Sequence, residues 1–241
     1  MLLAKLMLDS KHTVILTGAG MSTESGLPDF RSVQTGLWQQ KDPQRLASTH
    51  ALQYHREDFI SFYQYRIRTL RQCQPHAGHR ILADWEARGL IQTVITQNVD
   101  GFHQQAGSRK VIELHGSLRT VRCARCNQSD ESEAYLDDTF YCTCGGFLRP
   151  SVVLFGEALP AEAVEQAWRA AEQAKLFIVL GSSLQVSPAN QLPLIAKRNG
   201  AQLVIVNLEP TELDEWADLV IQNRKIGDVL AETDRQLERR I

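Results

Sequence analysis

The chain has 241 residues, 43% apolar and 22% charged, which is ordinary for a globular protein and leaves room for one sizeable α/β domain or a large domain with a small insert. A formal net charge of −2 gives no electrostatic case for non-specific nucleic-acid binding. No apolar run approaches the roughly 18 residues needed to span a membrane, so no membrane partner and a cytoplasmic location are expected.

Residues 1–9 are apolar but short and broken by Lys5 and Asp9. They read as a lead-in helix with Leu2, Leu3 and Leu6 on one face, not as a signal peptide. Val14, Ile15 and Leu16 then form a continuous aliphatic run, the pattern of a buried parallel strand. Gly18, Ala19 and Gly20 follow at once, with Ser22, Thr23 and Ser25 as candidate helix caps. A strand, a glycine turn and a helix start predict a phosphate cradle of bare N–H groups. A tight turn with no ligand is the competing reading. Thr23 stands where the dinucleotide fingerprint GxGxxG has its third glycine. Gly26, Pro28 and then Asp29, Phe30 and Arg31 predict a polar loop with one aromatic in place of a continuing helix.

Residues 38–55 read as irregular or weakly helical, and 57–73 as an amphipathic helix carrying Phe59, Phe62, Tyr63, Arg66, Ile67 and Leu70 near one stripe. Tyr63 and Arg66, three apart, share a face. They are either a core tyrosine beside a snorkelling arginine or a ligand-reading pair. A further helix is predicted over 76–88, stopped by Gly89. The strand 92–96 runs into Gln97, Asn98 and Asp100. Polar side chains beyond the carboxyl end of a parallel strand are placed to bind ligand, which is preferred here over a plain Asx turn. Residues 111–117 form a short strand ending in His115 and Gly116, where a histidine is either structural or a base.

Five cysteines are present, four of them between positions 123 and 144. Cys123, Cys126, Cys142 and Cys144, in two close pairs, predict a tetrahedral structural zinc site with no open position for chemistry. Acidic residues at 130, 131, 133, 137 and 138 argue against a nucleic-acid-binding ribbon. Residues 152–157 look like an apolar strand. Residues 160–175 look like a helix with Val164, Ala167, Trp168 and Ala171 on one face. The strand 176–180 leads to Gly181, Ser182 and Ser183, and Ser187 with Pro188 reads as a helix cap and first-turn proline. Strands at 203–206, ending in Asn207, and at 218–221 precede a terminal helix from Ile226. Strands alternating with helices imply a parallel sheet covered on both faces.

The chain resembles the sirtuin family of NAD-dependent protein deacylases. GAGxSxxSGxPDFR matches at 18–31, TQNxDGxHxxAG at 96–107, ELHGS at 113–117, CGGxLRP at 144–150 and GxSLxVxPA at 181–189, with a strand-terminal Asn207. The second cysteine pair, C-x-C, departs from the commoner C-x-x-C of sirtuins. The resemblance implies NAD as co-substrate, held by Gly18, Ala19, Gly20, Ser22, Asp29, Phe30, Arg31, Gln97, Asn98, Asp100, Gly181, Ser182, Ser183 and Asn207. It implies that Asp100 binds the nicotinamide amide, that His115 is the general base, and that Zn2+ is structural. Val153, Phe155 and Gly156 belong to the segment that pairs with acyl-lysine-bearing proteins and lines the acyl tunnel. In one branch of the family a Y-x-x-R pair, here Tyr63 and Arg66, binds succinyl or malonyl carboxylates.

The expected organisation is a Rossmann-like parallel-sheet domain from 1–35, 75–118 and 151–241. A smaller lobe would join a helical insert near 36–74 to a zinc module near 119–150. The expected products are free lysine, nicotinamide and O-acyl-ADP-ribose. Two other classes share the pocket: an ADP-ribosyltransferase and a non-catalytic NAD or ADP-ribose sensor.

Overall fold

A computed structural model describes residues 2–30, 36–37 and 42–239. Six strands form one parallel sheet: β1 (Thr13–Thr17), β2 (Thr93–Thr96), β3 (Val111–Glu113), and β7 to β9 (Leu176–Leu180, Gln202–Val206, Leu219–Ile221). Their spatial order is β3-β2-β1-β7-β8-β9. All five neighbouring pairs are parallel. Counted along the sheet alone, that is the 3-2-1-4-5-6 order of the doubly wound fold, with its switch point between β1 and β7.

The continuous apolar strands are covered on both sides. Successive side chains alternate faces, so Ile15, Val94, Ile178 and Val204 pack with Leu3, Met7, Trp85, Leu230 and Leu237. Those come from α1 (Leu2–Asp9), α5 (Ala77–Ala87) and α9 (Ile226–Glu238). Val14, Leu16, Phe177, Val179 and Ile205 meet Ala167, Ala171, Leu192 and Ala196 on the other face. These belong to α7 (Ala161–Gln173) and α8 (Leu192–Arg198). Alanines on α7 allow that helix to sit close to the sheet, whereas Trp168 is 42% exposed, so it is not on the buried face as expected.

The smaller part has its own core. Helices α2 (Pro43–Leu46), α3 (Thr49–Tyr54) and α4 (Arg56–Arg71) precede α5. Glu57 and Asp58 in the first turn of α4, and Arg68 and Arg71 in the last, suit its dipole. Phe59, Phe62, Tyr63 and Ile67 of α4 pack on Leu118, Val121, Leu148 and Val152. The latter belong to an antiparallel sheet of order β5-β4-β6, made of β4 (Gly116–Cys123), β5 (Ser129–Glu131) and β6 (Leu148–Val152).

Several local expectations are corrected. The stretch after β1 is a 3-10 turn, Ala19–Ser25, not an α-helix. Its glycine N–H groups are not bare: Gly18 donates to the Leu180 carbonyl (3.0 Å) and Gly20 to that of Gly181 (2.9 Å). Residues 42–54 form two short helices capped by Asp42 and Ser48, while 38–41 lie outside the described residues. The strand expected at 111–117 breaks at Leu114 and His115, and Gly116 (φ +73°) turns the chain into β4. The strand expected at 152–157 ends at Val152, because Glu157 folds back to donate its N–H to the Leu154 carbonyl (3.0 Å). Pro188 follows a cis peptide and precedes a 3-10 turn, Ala189–Gln191, and α8 starts later with Pro193 in its first turn.

Beneath the β1–β2 edge lie three histidines. His76 caps α5, accepting at Nδ1 from the Gly78 N–H (3.0 Å) and donating from Nε2 to the Met21 carbonyl (2.7 Å). His79 packs on His76, Phe102 and His103 with ring centroids 4.6, 5.6 and 5.0 Å away. Neither nitrogen of His79 has a hydrogen-bond partner among the described residues. Burial, then the neighbouring His103, His76 and Arg80 charges, pull His79 down to about 2. Burial and His76 pull His103 down to about 4. Both rings are therefore neutral in the fold, whereas the unfolded chain protonates them near 6.5. Their contribution is complete above that value and is lost as pH falls. Between pH 6.5 and 5 each histidine costs about 2 kcal/mol of stability. Denaturant unfolding of His79→Leu at pH 7 and pH 5 should show a pH-dependent loss about 2 kcal/mol smaller than that of the wild type.

Candidate active site

The carboxyl ends of β1, β2, β7 and β8 open into a cavity of about 640 Å3, within the roughly 300–1,000 Å3 typical of small-molecule sites. At its floor the backbones of two strand-end loops touch. A Cβ on Gly18 would lie 2.7 Å from the Gly181 carbonyl oxygen, one on Gly20 2.8 Å from Gly181 Cα, and one on Gly181 2.5 Å from Gly20 C. Only glycine fits all three positions.

The polar wall is a single network. Asn98 Nδ2 donates to the Gly18 carbonyl (3.0 Å) and to Ser22 Oγ (3.1 Å), and Ser22 Oγ donates to Asp100 Oδ2 (2.7 Å). Asp100 Oδ1 accepts from the Phe102 N–H (2.9 Å), so the Asx turn also forms and leads into α6 (Phe102–Gln105). Asp100 is 7% exposed. Burial raises its carboxyl above the usual range, against the opposing pull of the Phe102 N–H, the Ser22 hydroxyl and the Arg66 charge. Gln97 Nε2 donates to Ser182 Oγ (2.8 Å), linking β2 to β7 across the cleft. Below, His103 Nε2, Thr17 Oγ1 and Thr96 Oγ1 make a buried chain at 3.0 and 2.8 Å, and Thr96 Oγ1 accepts the Asn98 N–H (3.0 Å).

His115 sits where β3 gives way to β4. Its Nδ1 lies 2.8 Å from the Gln97 carbonyl oxygen. A carbonyl only accepts, so Nδ1 carries a proton, and in the neutral imidazole Nε2 then holds the lone pair. The carbonyl of His115 accepts from the Val153 N–H (2.9 Å). Gly116 permits this turn, since a Cβ there would lie 2.1 Å from the Ser151 carbonyl oxygen.

On the opposite wall Tyr63 is buried, which pushes its phenol up to about 12. Arg66 is half-buried, and its guanidinium lies over the rings of Phe30 (5.0 Å) and Phe62 (5.8 Å). Burial lowers its pKa, opposed by Tyr63 and Asp100. No ion pair to Arg66 occurs among the described residues.

The cavity brings together Gly18, Ala19, Gly20, Ser22, Asp29, Phe30, Gln97, Asn98, Asp100, His115, Gly181, Ser182, Ser183 and Asn207 with Tyr63, Arg66, Val153, Phe155 and Gly156. Arg31 lies outside the described residues. Sequence reasoning missed Glu24, Leu208, Glu209, Arg224 and Lys225, which also line it. Leu208 and Glu209 directly follow β8, so the strand-end rule applied to Asn207 reaches them. Glu24 has no such signal: its carboxylate accepts the Gly227 N–H (2.8 Å) at the start of α9, 203 residues away.

The four predicted metal ligands converge at the tip of the smaller part. Their Sγ atoms all lie within 4.8 Å of one another, with Cys123 to Cys144 at 3.5 Å and Cys126 to Cys142 at 3.7 Å. A tetrahedral zinc with bonds of about 2.3 Å needs sulfur pairs about 3.8 Å apart, so the tetrad fits the ion despite its C-x-C pair. Backbone N–H groups of Cys126 and Arg125 point at Cys123 Sγ (3.5 and 3.3 Å) and favour its thiolate.

The Sir2 family model matches residues 18–188. An NAD-dependent protein deacetylase 1 of Geobacillus kaustophilus (strain HTA426) is 70% identical over 228 residues, covering 95% of this chain and 94% of that one. An NAD-dependent protein deacylase 1 of Archaeoglobus fulgidus is 42% identical over 240 residues, covering 98% and 97%. A solved Sir2 complex with a p53 peptide and NAD+ superposes with a TM-score of 0.89 at 40% identity, over 97% of this chain and 96% of that one. Another, with deacetylated p53 peptide and 3'-O-acetyl ADP-ribose, gives 0.92 at 40% identity, over the same shares. A doubly wound sheet with a dinucleotide-sized cleft and a four-thiolate lobe thus defines a sirtuin-type α/β protein. The chain belongs to the Sir2 family.

Metal analysis should find about one zinc per chain. Chelation, or Cys126→Ser, should lower the melting temperature, because the tetrad ties the end of β4 to the turn that follows it and to the segment before β6. A metal-free preparation with unchanged melting would contradict the assignment.

Proposed function

We propose that this chain is an NAD-dependent protein-lysine deacetylase that uses His115 as general base. NAD supplies an electrophilic ribose carbon: the acyl carbonyl oxygen attacks it as nicotinamide leaves, a ribose hydroxyl then takes the acyl carbon, and one water is consumed as the lysine amine departs, so that nicotinamide, O-acyl-ADP-ribose and free lysine result. The cleft suits that co-substrate. Its floor has no side chain at Gly18, Gly20 or Gly181, so a diphosphate can approach the backbone. Gln97, Ser182, Ser183 and Asn207 are hydrogen-bonding groups for ribose hydroxyls. Asp100, with both oxygens already engaged by Ser22 and Phe102, is oriented to hold the nicotinamide amide. The substrates are acyl-lysine-bearing proteins. Cytoplasmic action is part of the proposal, supported by five cysteines with no disulfide among them. No described helix is long and apolar enough to cross a membrane.

The observation that carries the reading is the contact of His115 Nδ1 with the Gln97 carbonyl. With Nδ1–H held on the Gln97 carbonyl, Nε2 accepts a proton from a ribose hydroxyl. A sensor needs no base there. ADP-ribosyl transfer would use the same bond cleavage, and mass spectrometry of the products separates it from deacylation. His115→Ala should lose at least ~10²-fold in O-acetyl-ADP-ribose formation while binding ADP-ribose as before. Near-normal turnover would remove His115 from this role.

A second reading adds acidic acyl groups. A cavity-facing guanidinium with no ion-pair partner among the described residues, next to a buried phenol, suits a carboxylate. Arg66→Met should cost the succinyl-lysine reaction about 1.5–3 kcal/mol more than the acetyl-lysine reaction. Equal losses on the two forms of one peptide would show that Arg66 does not read the acyl group.

A further inference from the structure

The apolar segment after β6 is held by an ion pair, buried at its arginine end and half-buried at its carboxylate, that the reaction itself does not use. Arg149, on β6, has a side chain 7% exposed. Its Nη1 and Nη2 donate to Glu157 Oε1 (2.5 Å) and Oε2 (2.9 Å), and Nη2 also donates to the Val152 carbonyl (2.6 Å). Glu157 Oε2 in turn accepts the Leu154 N–H (2.9 Å). The fork therefore clasps both ends of the loop 152–157.

The same loop is pinned at two other places. The Val153 N–H donates to the His115 carbonyl (2.9 Å). Phe155 exchanges backbone bonds with the α2–α3 junction, donating to Ala47 (2.9 Å) and accepting from Thr49 (3.0 Å). The N–H groups of Val153, Leu154, Phe155 and Glu157 are all used inside the protein. Gly156 is the exception: neither its N–H nor its carbonyl makes a hydrogen bond among the described residues, and it lines the cavity. Its φ of +92°, with a Cβ position 2.8 Å from Thr49 Oγ1, restricts the site to glycine. An extended peptide laid along this wall finds its backbone partner at Gly156.

We propose that Arg149 and Glu157 are positioning residues that fix the Gly156 backbone for the acylated peptide, and so set peptide affinity without setting NAD affinity. The inference rests on the deacetylase reading for its substrate class. A bidentate guanidinium–carboxylate pair fixes distance and plane together. Buried pairs of this kind contribute little net stability compared with an apolar replacement. Orientation is what this one supplies, because its free valences are spent on Val152 and Leu154.

The test uses the full-length protein, a labelled acetyl-lysine peptide followed by fluorescence anisotropy, and ADP-ribose followed by calorimetry. In Glu157→Gln one acceptor becomes an NH2 group facing Arg149. The peptide Kd should rise about tenfold, the cost of a charge-assisted hydrogen bond, while the ADP-ribose Kd stays within about twofold. Arg149→Lys keeps the charge but not the fork and should give an intermediate peptide Kd. It also serves if Glu157→Gln does not fold. Peptide affinity unchanged in the folded variants, or peptide and ADP-ribose affinity falling together, would overturn the proposal. Wild-type protein that binds the peptide but forms no O-acetyl-ADP-ribose would refute the deacetylase reading and leave this binding comparison decisive.

Discussion

The site depends on a contact between two backbones with nothing between them. At the switch point the loops after β1 and β7 approach until Gly18 and Gly20 meet Gly181 at distances that no Cβ tolerates. Gly181 also has φ of +62°. Because Gly18 and Gly20 donate to carbonyls of the neighbouring strand end, the cradle is fixed by the sheet rather than by a ligand. The Gly18 carbonyl, turned the other way, accepts from Asn98, and through Ser22 the same bond chain reaches Asp100. The order of the polar wall is thus inherited from the close approach.

Much of this was legible in the sequence because it rests on short-range rules. Apolar runs at 14–16, 176–180 and 203–206 read as buried strands, and each is buried on both faces. Residues after those strands line the cleft because a parallel sheet puts all its carboxyl ends on one side. The cysteine tetrad was legible from spacing, since four thiolates have one economical arrangement. What was not legible depends on distant partners. Residues 152–157 have the composition of a strand, yet Glu157 pairs with Arg149 and turns the chain back. Trp168 fits the helical stripe of its neighbours but falls at the edge of the α7 contact. Nothing local to Glu24 announces its bond to the start of α9.

Some of the contacts between the parallel sheet and the antiparallel one are chemically loaded. His115 takes its tautomer from Gln97 of the large sheet and gives its carbonyl to Val153 of the loop that leaves the small sheet. Arg149 is one residue from Leu148, which pairs with Cys123 in the β4–β6 ladder. Cys123 of the tetrad, Arg149 of the fork and His115, which directly precedes β4, therefore follow one another along or beside one antiparallel pair.

Arg66 illustrates how an apolar wall can hold a charge ready. A planar guanidinium has two faces and an edge, and they do different things. Its faces attract aromatic rings, whereas its N–H donors all radiate in the plane. The Arg66 guanidinium carbon lies over the rings of Phe30 and Phe62. The two ring contacts restrict the side chain beside the cavity, so part of the rotamer cost of presenting the cation is already met by the fold. Phe30 also belongs to the loop beside the glycine cradle, so this arginine physically joins the α4 wall of the cleft to the loop that follows β1.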